Sequence, residues 1–142
     1  MAFTNPSDDD LRRLLTDTRT IALVGASSKP DRPSHGIMRK LLSVGYHVIP
    51  VTPRESEVLG QRAYATLGEI PEPVDLVDVF RRAEDTPPIA AEAVRIGAKA
   101  LWLQQGIASE EAAAVARAGG LVVVMDLCIA VMHRVLGVPG RV

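Results

Sequence analysis

Thr20-Ile21-Ala22-Leu23-Val24-Gly25-Ala26-Ser27-Ser28-Lys29-Pro30 sets the class of fold. Residues 20–24 are an unbroken run with no polar alternation after Thr20, the pattern of a strand covered on both faces in a parallel sheet. A glycine-initiated loop with two prolines, 25–33, follows. From Ser34 to Val44, Ile37, Met38, Leu41, Leu42 and Val44 recur close to helical spacing, and Gly45 is placed to end that helix. A strand, a polar loop and a helix in that order begin a βαβ unit.

The same grammar extends in both directions. Ser7 reads as an N-cap, with Asp8, Asp9 and Asp10 in the first turn of a helix to about Thr16. His47–Val51 reads as the second strand, with Pro50 implying an end near Ile49. A short strand is expected at 62–64 and a longer one at 74–80. Thr86 with Pro87 and Pro88 starts a helix to about Ile96. A strand at 100–103, a helix at 110–118 capped by Ser109, a strand at 121–125 and a closing helix at 129–136 complete the pattern. The chain therefore reads as α/β, a Rossmann-like doubly wound, mainly parallel sheet of five to six strands with helices on both faces. It reads as one domain over 1–142, with residues 1–6 a flexible tail.

Composition bounds the function. A chain of 142 residues suits a single domain. Sixteen Lys and Arg against 17 Asp and Glu exclude a globally basic nucleic-acid surface. No apolar run approaches the roughly 20 residues of a membrane span. The first residues, MAFTNPSDDDLRR, carry acids where a signal peptide needs positive charge. One cysteine excludes an internal disulfide framework and a multi-cysteine metal site, and as a free thiol it points to the cytoplasm.

In such sheets ligands bind beyond the carboxyl ends of the strands. Those ends read Gly25-Ala26-Ser27-Ser28-Lys29, Val51-Thr52-Pro53-Arg54, Val79-Phe80-Arg81-Arg82, Gln104-Gln105-Gly106 and Asp126-Leu127-Cys128, a polar rim rich in cations. The first loop offers N–H groups, two serines and a helix dipole to a phosphate. It equally reads as a plain βα turn with Ser34 as the helix cap. It is not the dinucleotide fingerprint, because Ser27 and Pro30 stand where the second and third glycines belong. The second strand also lacks an acid for a ribose diol. Arg54 there fits a phosphate near the ribose, as in NADP or in the 3′-phosphorylated ADP of coenzyme A. There is no P-loop. His35, His47 and His133 are scattered and read as surface or packed residues, so no metal site is expected. Asp75 and Asp78, three apart on a strand, face opposite sides and make no acid–base pair. Cys128 reads as a packed thiol whose strand-end position keeps a redox role open, and Trp102 reads as core.

Six segments together carry a resemblance: Val24–Ser27, Arg32–Ser34, Gly45–Val51, Val74–Arg81, Trp102–Ile107 and Val124–Ile129. With them the chain resembles the small stand-alone CoA-binding domain proteins, which are similar to the nucleotide-binding domain of the succinyl-CoA synthetase alpha subunit. The resemblance implies a Rossmann-like sheet that binds coenzyme A. It implies phosphate on the loop from Ala26 to Pro30, with Gly25 at its start and Lys29 or Arg32 assisting. Thr52, Pro53 and Arg54 would border the nucleotide, Phe80 and Arg81 the pantetheine arm, and Leu103, Gln104 and Gln105 the thiol end. Thr52 stands where the family usually has Asn, and Leu127 where it has a polar residue. The phosphohistidine of the synthetase lies in a later domain, so ligase activity is not expected here.

The resulting expectation is a binding module for coenzyme A or an acyl-CoA, with no catalytic residues of its own. The alternatives are an NADP-dependent reductase and a protein-interaction domain that has lost its ligand. If Cys128 faces the cleft, a mixed disulfide with the CoA thiol is a further expectation. The partner is a small nucleotide, not nucleic acid or membrane; a homo-oligomer or a protein partner stays open.

Overall fold

The computed structural model describes residues 3–140. Strands β1 (Thr20–Val24), β2 (His47–Val51), β3 (Glu57–Val58), β4 (Gln61–Arg62), β5 (Leu76–Val79), β6 (Ala100–Leu103) and β7 (Val122–Val124) alternate with helices α1 (Asp8–Asp17), α2 (Pro33–Ser43), α3 (Thr86–Arg95), α4 (Glu110–Ala118) and α5 (Ile129–Val135). Five strands form one parallel sheet in the order β2-β1-β5-β6-β7, and β3 and β4 make a small antiparallel ribbon. This is the expected Rossmann-like architecture with five strands in the main sheet.

Period-2 alternation sorts the strand residues between two faces. Ile21, Leu23, Leu76, Trp102 and Val124 point to one side, where α1 (Leu11, Leu15), α2 (Met38, Leu41) and α5 (Ile129) cover them. Ala22, Val24, Val77, Val79, Leu101 and Leu103 point to the other, under α3 and α4. Those two helices meet the sheet and each other through Ala90, Ala93, Ala112, Ala113 and Ala116. Small side chains let backbones approach closely here; a Cβ on Gly119 would stand 2.5 Å from Val94. Trp102 is fully buried, and its indole N–H donates to the Leu127 carbonyl at 2.8 Å. Burying each such large apolar side chain contributes roughly 1.5–3 kcal/mol.

Four expectations need correction. Pro50 does not end β2, which runs to Val51. β2 is an edge strand of the main sheet, and the Pro50 carbonyl faces outward to accept the Tyr64 N–H at 3.1 Å. The proline nitrogen shares that outward side, so no bond to β1 is lost. The short strand expected at 62–64 is split between β4 and a single parallel bridge from Tyr64 to Val51. The α2 cap position is Arg32, not Ser34, because Pro33 takes the first helical position. Finally, residues 3–6 are not a loose tail. The Asn5 amide exchanges two hydrogen bonds with the Met125 backbone, at 2.9 and 3.0 Å, and Arg117 lies over the Phe3 ring. Met1 and Ala2 lie outside the described residues. Among the described residues no helix is long and apolar enough to cross a membrane.

Asp78 breaks the apolar pattern. It sits on β5 between Leu23 and Trp102, fully buried, and neither carboxylate oxygen has a hydrogen-bond partner. Desolvation pushes its carboxyl well above the ordinary aspartate range. A raised folded-state value favours the protonated form. The stability it contributes is full below the unfolded-state value of about 3.9 and is lost as pH rises through the folded-state value. Urea denaturation across pH 4–9 is expected to show stability falling with rising pH, and Asp78→Asn is expected to flatten that slope. An equal slope in both proteins would contradict a buried, neutral Asp78.

Candidate functional site

The chain leaves β1 for β2 on one side, while β5 lies on the other, so the loops that follow β1 and β5 part and leave a crevice. Phe80 N–H donates to the Val24 carbonyl at 2.8 Å, and Gly25 N–H donates to the Val51 carbonyl at 3.0 Å. Gly25 adopts φ +90°, and a Cβ there would meet the Phe80 carbonyl oxygen at 2.4 Å. Only glycine meets both demands.

A cavity of about 750 Å³ opens beside this contact, within the range of small-molecule sites. Its walls come from three places. Arg32, Pro33, Ser34 and Ile37 belong to the start of α2; Phe80, Arg81 and Arg82 follow β5; Gln104, Gln105, Gly106 and Ile107 follow β6, and Cys128, just before α5, also lines the cavity. Of the residues singled out from sequence, the structure gathers Gly25, Arg32, Phe80, Arg81, Gln104 and Gln105 around the cavity. It does not bring the others onto that wall. Ala26 is packed in the core, Ser27 is half-buried, and Ser28, Lys29 and Pro30 are exposed on the loop. Thr52 is buried, its hydroxyl accepting from Arg54 N–H at 3.2 Å, while Pro53 and Arg54 are exposed beyond it.

Sequence reasoning missed Pro33, Ser34 and Ile37 as lining and left open whether Cys128 faces the cleft, which it lines. Pro33 at the first helical position is the signal for the former, since it marks where α2 starts beside the strand ends.

The charges around the cavity are unevenly used. Arg82 is held by Glu84 at 3.1 Å and Asp85 at 3.4 Å. Arg32 and Arg81 make no ion pair among the described residues, and the α2 N-terminus has no side-chain cap. The rim therefore presents two uncommitted guanidinium groups and a positive helix end. Glu55 faces the first loop, its carboxylate accepting the Ser28 N–H at 3.0 Å. The Ser28 hydroxyl, then the Ser28 N–H, and more weakly Lys29 hold the Glu55 carboxyl below the usual range. One of the loop's N–H groups is thus occupied by the chain's own carboxylate.

The far side of the cavity is braced. Gly106 N–H donates to Asp126 Oδ1 at 2.7 Å, Trp102 Nε1 to the Leu127 carbonyl at 2.8 Å, and Ile129 N–H to Gln104 Oε1 at 3.1 Å. Asp126 takes a left-handed φ of +61° within this brace. Three side chains thereby tie residues 126–129 to β6 and its loop. Among the described residues no group of His, Cys, Asp and Glu gathers that could hold a metal; His133 packs edge-on against Tyr46, and His47 pairs with Glu72 at 2.8 Å. A smaller depression of about 440 Å³ lies at the opposite end of the sheet, lined by Asp10, Arg13, Asp75 and Lys99. It is away from the switch point, and Asp75 there is spent accepting the Arg19 and Thr20 N–H groups at 3.0 Å.

Known proteins with this sequence pattern and fold are informative. Residues 19–134 match the family described as CoA binding domain, and the chain belongs to that family. The Bacillus subtilis (strain 168) protein YneT is 43% identical over 131 residues, covering 92% of this chain and 97% of its own. A solved structure of a hypothetical protein from Pyrococcus horikoshii OT3 superposes with a TM-score of 0.90 at 38% identity, covering 96% of this chain and 99% of that one. The alpha subunit of acetate–CoA ligase [ADP-forming] I from Pyrococcus furiosus is 31% identical over 91 residues, which are 60% of this chain and 20% of that subunit.

Gly25→Ala is expected to destabilise the protein by about 2–4 kcal/mol, combining left-handed strain with overpacking against Phe80. Urea denaturation reads this directly; a loss under 0.5 kcal/mol, the scale of neutral surface changes, would contradict the close approach described here.

Proposed function

We propose that this member of the CoA binding domain family binds coenzyme A or an acyl-CoA in the cavity at the switch point, as a binding module. The observation that carries the reading is the pairing of two unpaired arginines and an uncapped helix start with an apolar wall of Ile37, Phe80 and Ile107. Such a wall suits a ligand with a phosphorylated head and a long, less polar arm. In this reading Gly25 and the loop Ala26-Ser27-Ser28-Lys29-Pro30 take the diphosphate, with Lys29 and Arg32 supplying charge. Thr52, Pro53 and Arg54 border the nucleotide, and Arg54 meets the 3′-phosphate. Phe80 and Arg81 flank the pantetheine arm, and Gln104 and Gln105 the thiol end. Family membership and the shared segment with the acetate–CoA ligase subunit support the choice of ligand.

Calorimetric titration with coenzyme A, after confirming that the purified protein carries none, is the test. Saturable binding is expected, and removal of the 3′-phosphate or Arg54→Ala is expected to weaken it about tenfold or more, the scale of a charge-assisted hydrogen bond. Selective binding of NADPH over coenzyme A, or no binding of either by folded protein, would contradict the reading.

The same site gives a second expectation. A phosphate on the first loop must displace the Glu55 carboxylate from the Ser28 N–H. Glu55→Gln is therefore expected to tighten coenzyme A binding several-fold at pH 7, where the low-lying carboxyl of the natural residue is ionised. Weaker binding by the variant would show that Glu55 assists the ligand rather than competing with it.

A further inference from the structure

We propose that the inner end of the cavity is an acyl-acceptor site, in which Cys128 takes the acyl group of a CoA thioester while the Gln104 amide holds the thioester carbonyl oxygen. The inference rests on the coenzyme A reading above.

Two independent features meet there. Cys128 is half-buried, lines the cavity and is a free thiol. Its two neighbours are fixed: the Leu127 carbonyl by the Trp102 indole and the Ile129 N–H by Gln104 Oε1. The backbone that carries the thiol is thus held by bonds on either side of it. Gln104 is the second feature. It is 4% exposed and lines the same cavity. Because Oε1 must accept from Ile129 N–H, the orientation of the amide is settled and the N–H₂ group is the free end. That nitrogen has no partner among the described residues. It is not sealed in the core either, since the only enclosed and unpartnered side-chain polar atoms among those residues are the two Asp78 oxygens. A nearly buried, unpartnered donor on a residue that lines a cavity calls for an acceptor from the ligand.

A thioester satisfies both features. Its carbonyl oxygen accepts from the Gln104 amide, which stabilises the charge that develops there on attack. The Cys128 sulfur, as thiolate, forms a bond to the acyl carbon. The bond from that carbon to the CoA sulfur breaks, and CoA leaves as a thiol carrying the proton given up by Cys128. One thioester replaces another, so no oxidant, reductant or nucleotide is consumed. A mixed disulfide with the CoA thiol would use Cys128 but leave the Gln104 donor without a role.

The test is incubation of the full chain with acetyl-, butyryl- or octanoyl-CoA under a phosphine reductant, which excludes disulfides. Intact mass, peptide mapping and free CoA release above a protein-free blank are followed, with coenzyme A titration in the same buffer. Expected are a mass gain equal to one acyl group, located on Cys128, with stoichiometric CoA release, and no adduct in Cys128→Ala. Gln104→Glu keeps the acceptor for Ile129 N–H but removes the donor, and is expected to slow adduct formation at least tenfold in a variant whose thermal melt confirms folding. Coenzyme A binding with no mass gain from any of the three thioesters would overturn the acyl transfer and leave the binding reading standing. An adduct on a residue other than Cys128, or an undiminished rate in folded Gln104→Glu, would overturn the assigned roles. Absence of coenzyme A binding itself would remove the binding reading and this inference with it.

Discussion

Everything at the switch-point end of this protein depends on how closely the chain leaving β1 can pass the chain leaving β5. The two strands are hydrogen-bonded along Ile21–Val24 and Leu76–Val79, and the pairing continues through Phe80 N–H to the Val24 carbonyl. Just beyond, Gly25 must turn away with its Cα nearly against the Phe80 carbonyl. The loops part because β2 and β5 lie on opposite sides of β1, and Gly25 lets the chain turn there past Phe80. A side chain at Gly25 would push β1 and β5 apart where the sheet is otherwise continuous, so the requirement for glycine belongs to the fold before it belongs to any ligand.

Rigid backbone on one wall is matched by side-chain bracing on the other. Trp102, Gln104 and Asp126 tie the loops after β6 and β7 together, and each spends a polar group on backbone that a loop leaves unsatisfied. The third wall, the start of α2, is different: its cap position carries Arg32 with no side-chain bond. The site thus combines two fixed walls with a rim on which Arg82 is paired with Glu84 and Asp85 and Glu55 covers Ser28, while Arg32 and Arg81 carry no ion pair among the described residues. The opposite depression differs in that its lining includes the Asp10–Arg13 and Asp75–Lys99 ion pairs.

The fold was legible because strand and helix signals are local. Residues 20–24 and 100–103 are continuous apolar runs, and Ser7 and Ser109 cap helices through bonds to the third residue onward. What was not legible depends on neighbours distant in sequence. Pro50 is harmless only because β2 lies at the sheet edge, and Asn5 is ordered only because Met125 is 120 residues away in sequence and adjacent in space. The same holds at the site. Phe80, Arg81, Gln104 and Gln105 follow strands and could be placed from strand ends, whereas the cavity wall from Ser34 and Ile37 needs the docking angle of α2. Asp78 could be placed on a strand from its spacing, but its lack of any partner is a fact of packing.

The central claim is that the switch-point cavity, not another surface, receives coenzyme A. Hydrogen–deuterium exchange with and without saturating coenzyme A tests it most directly, because it reports backbone protection at each loop separately. Protection concentrated in residues 25–34, 80–82 and 104–107 and extending to Thr52 and Arg54, with the opposite end around Asp10–Thr18 and Lys99 indifferent, is the predicted result. Protection at that opposite end with none in the three loops would contradict it.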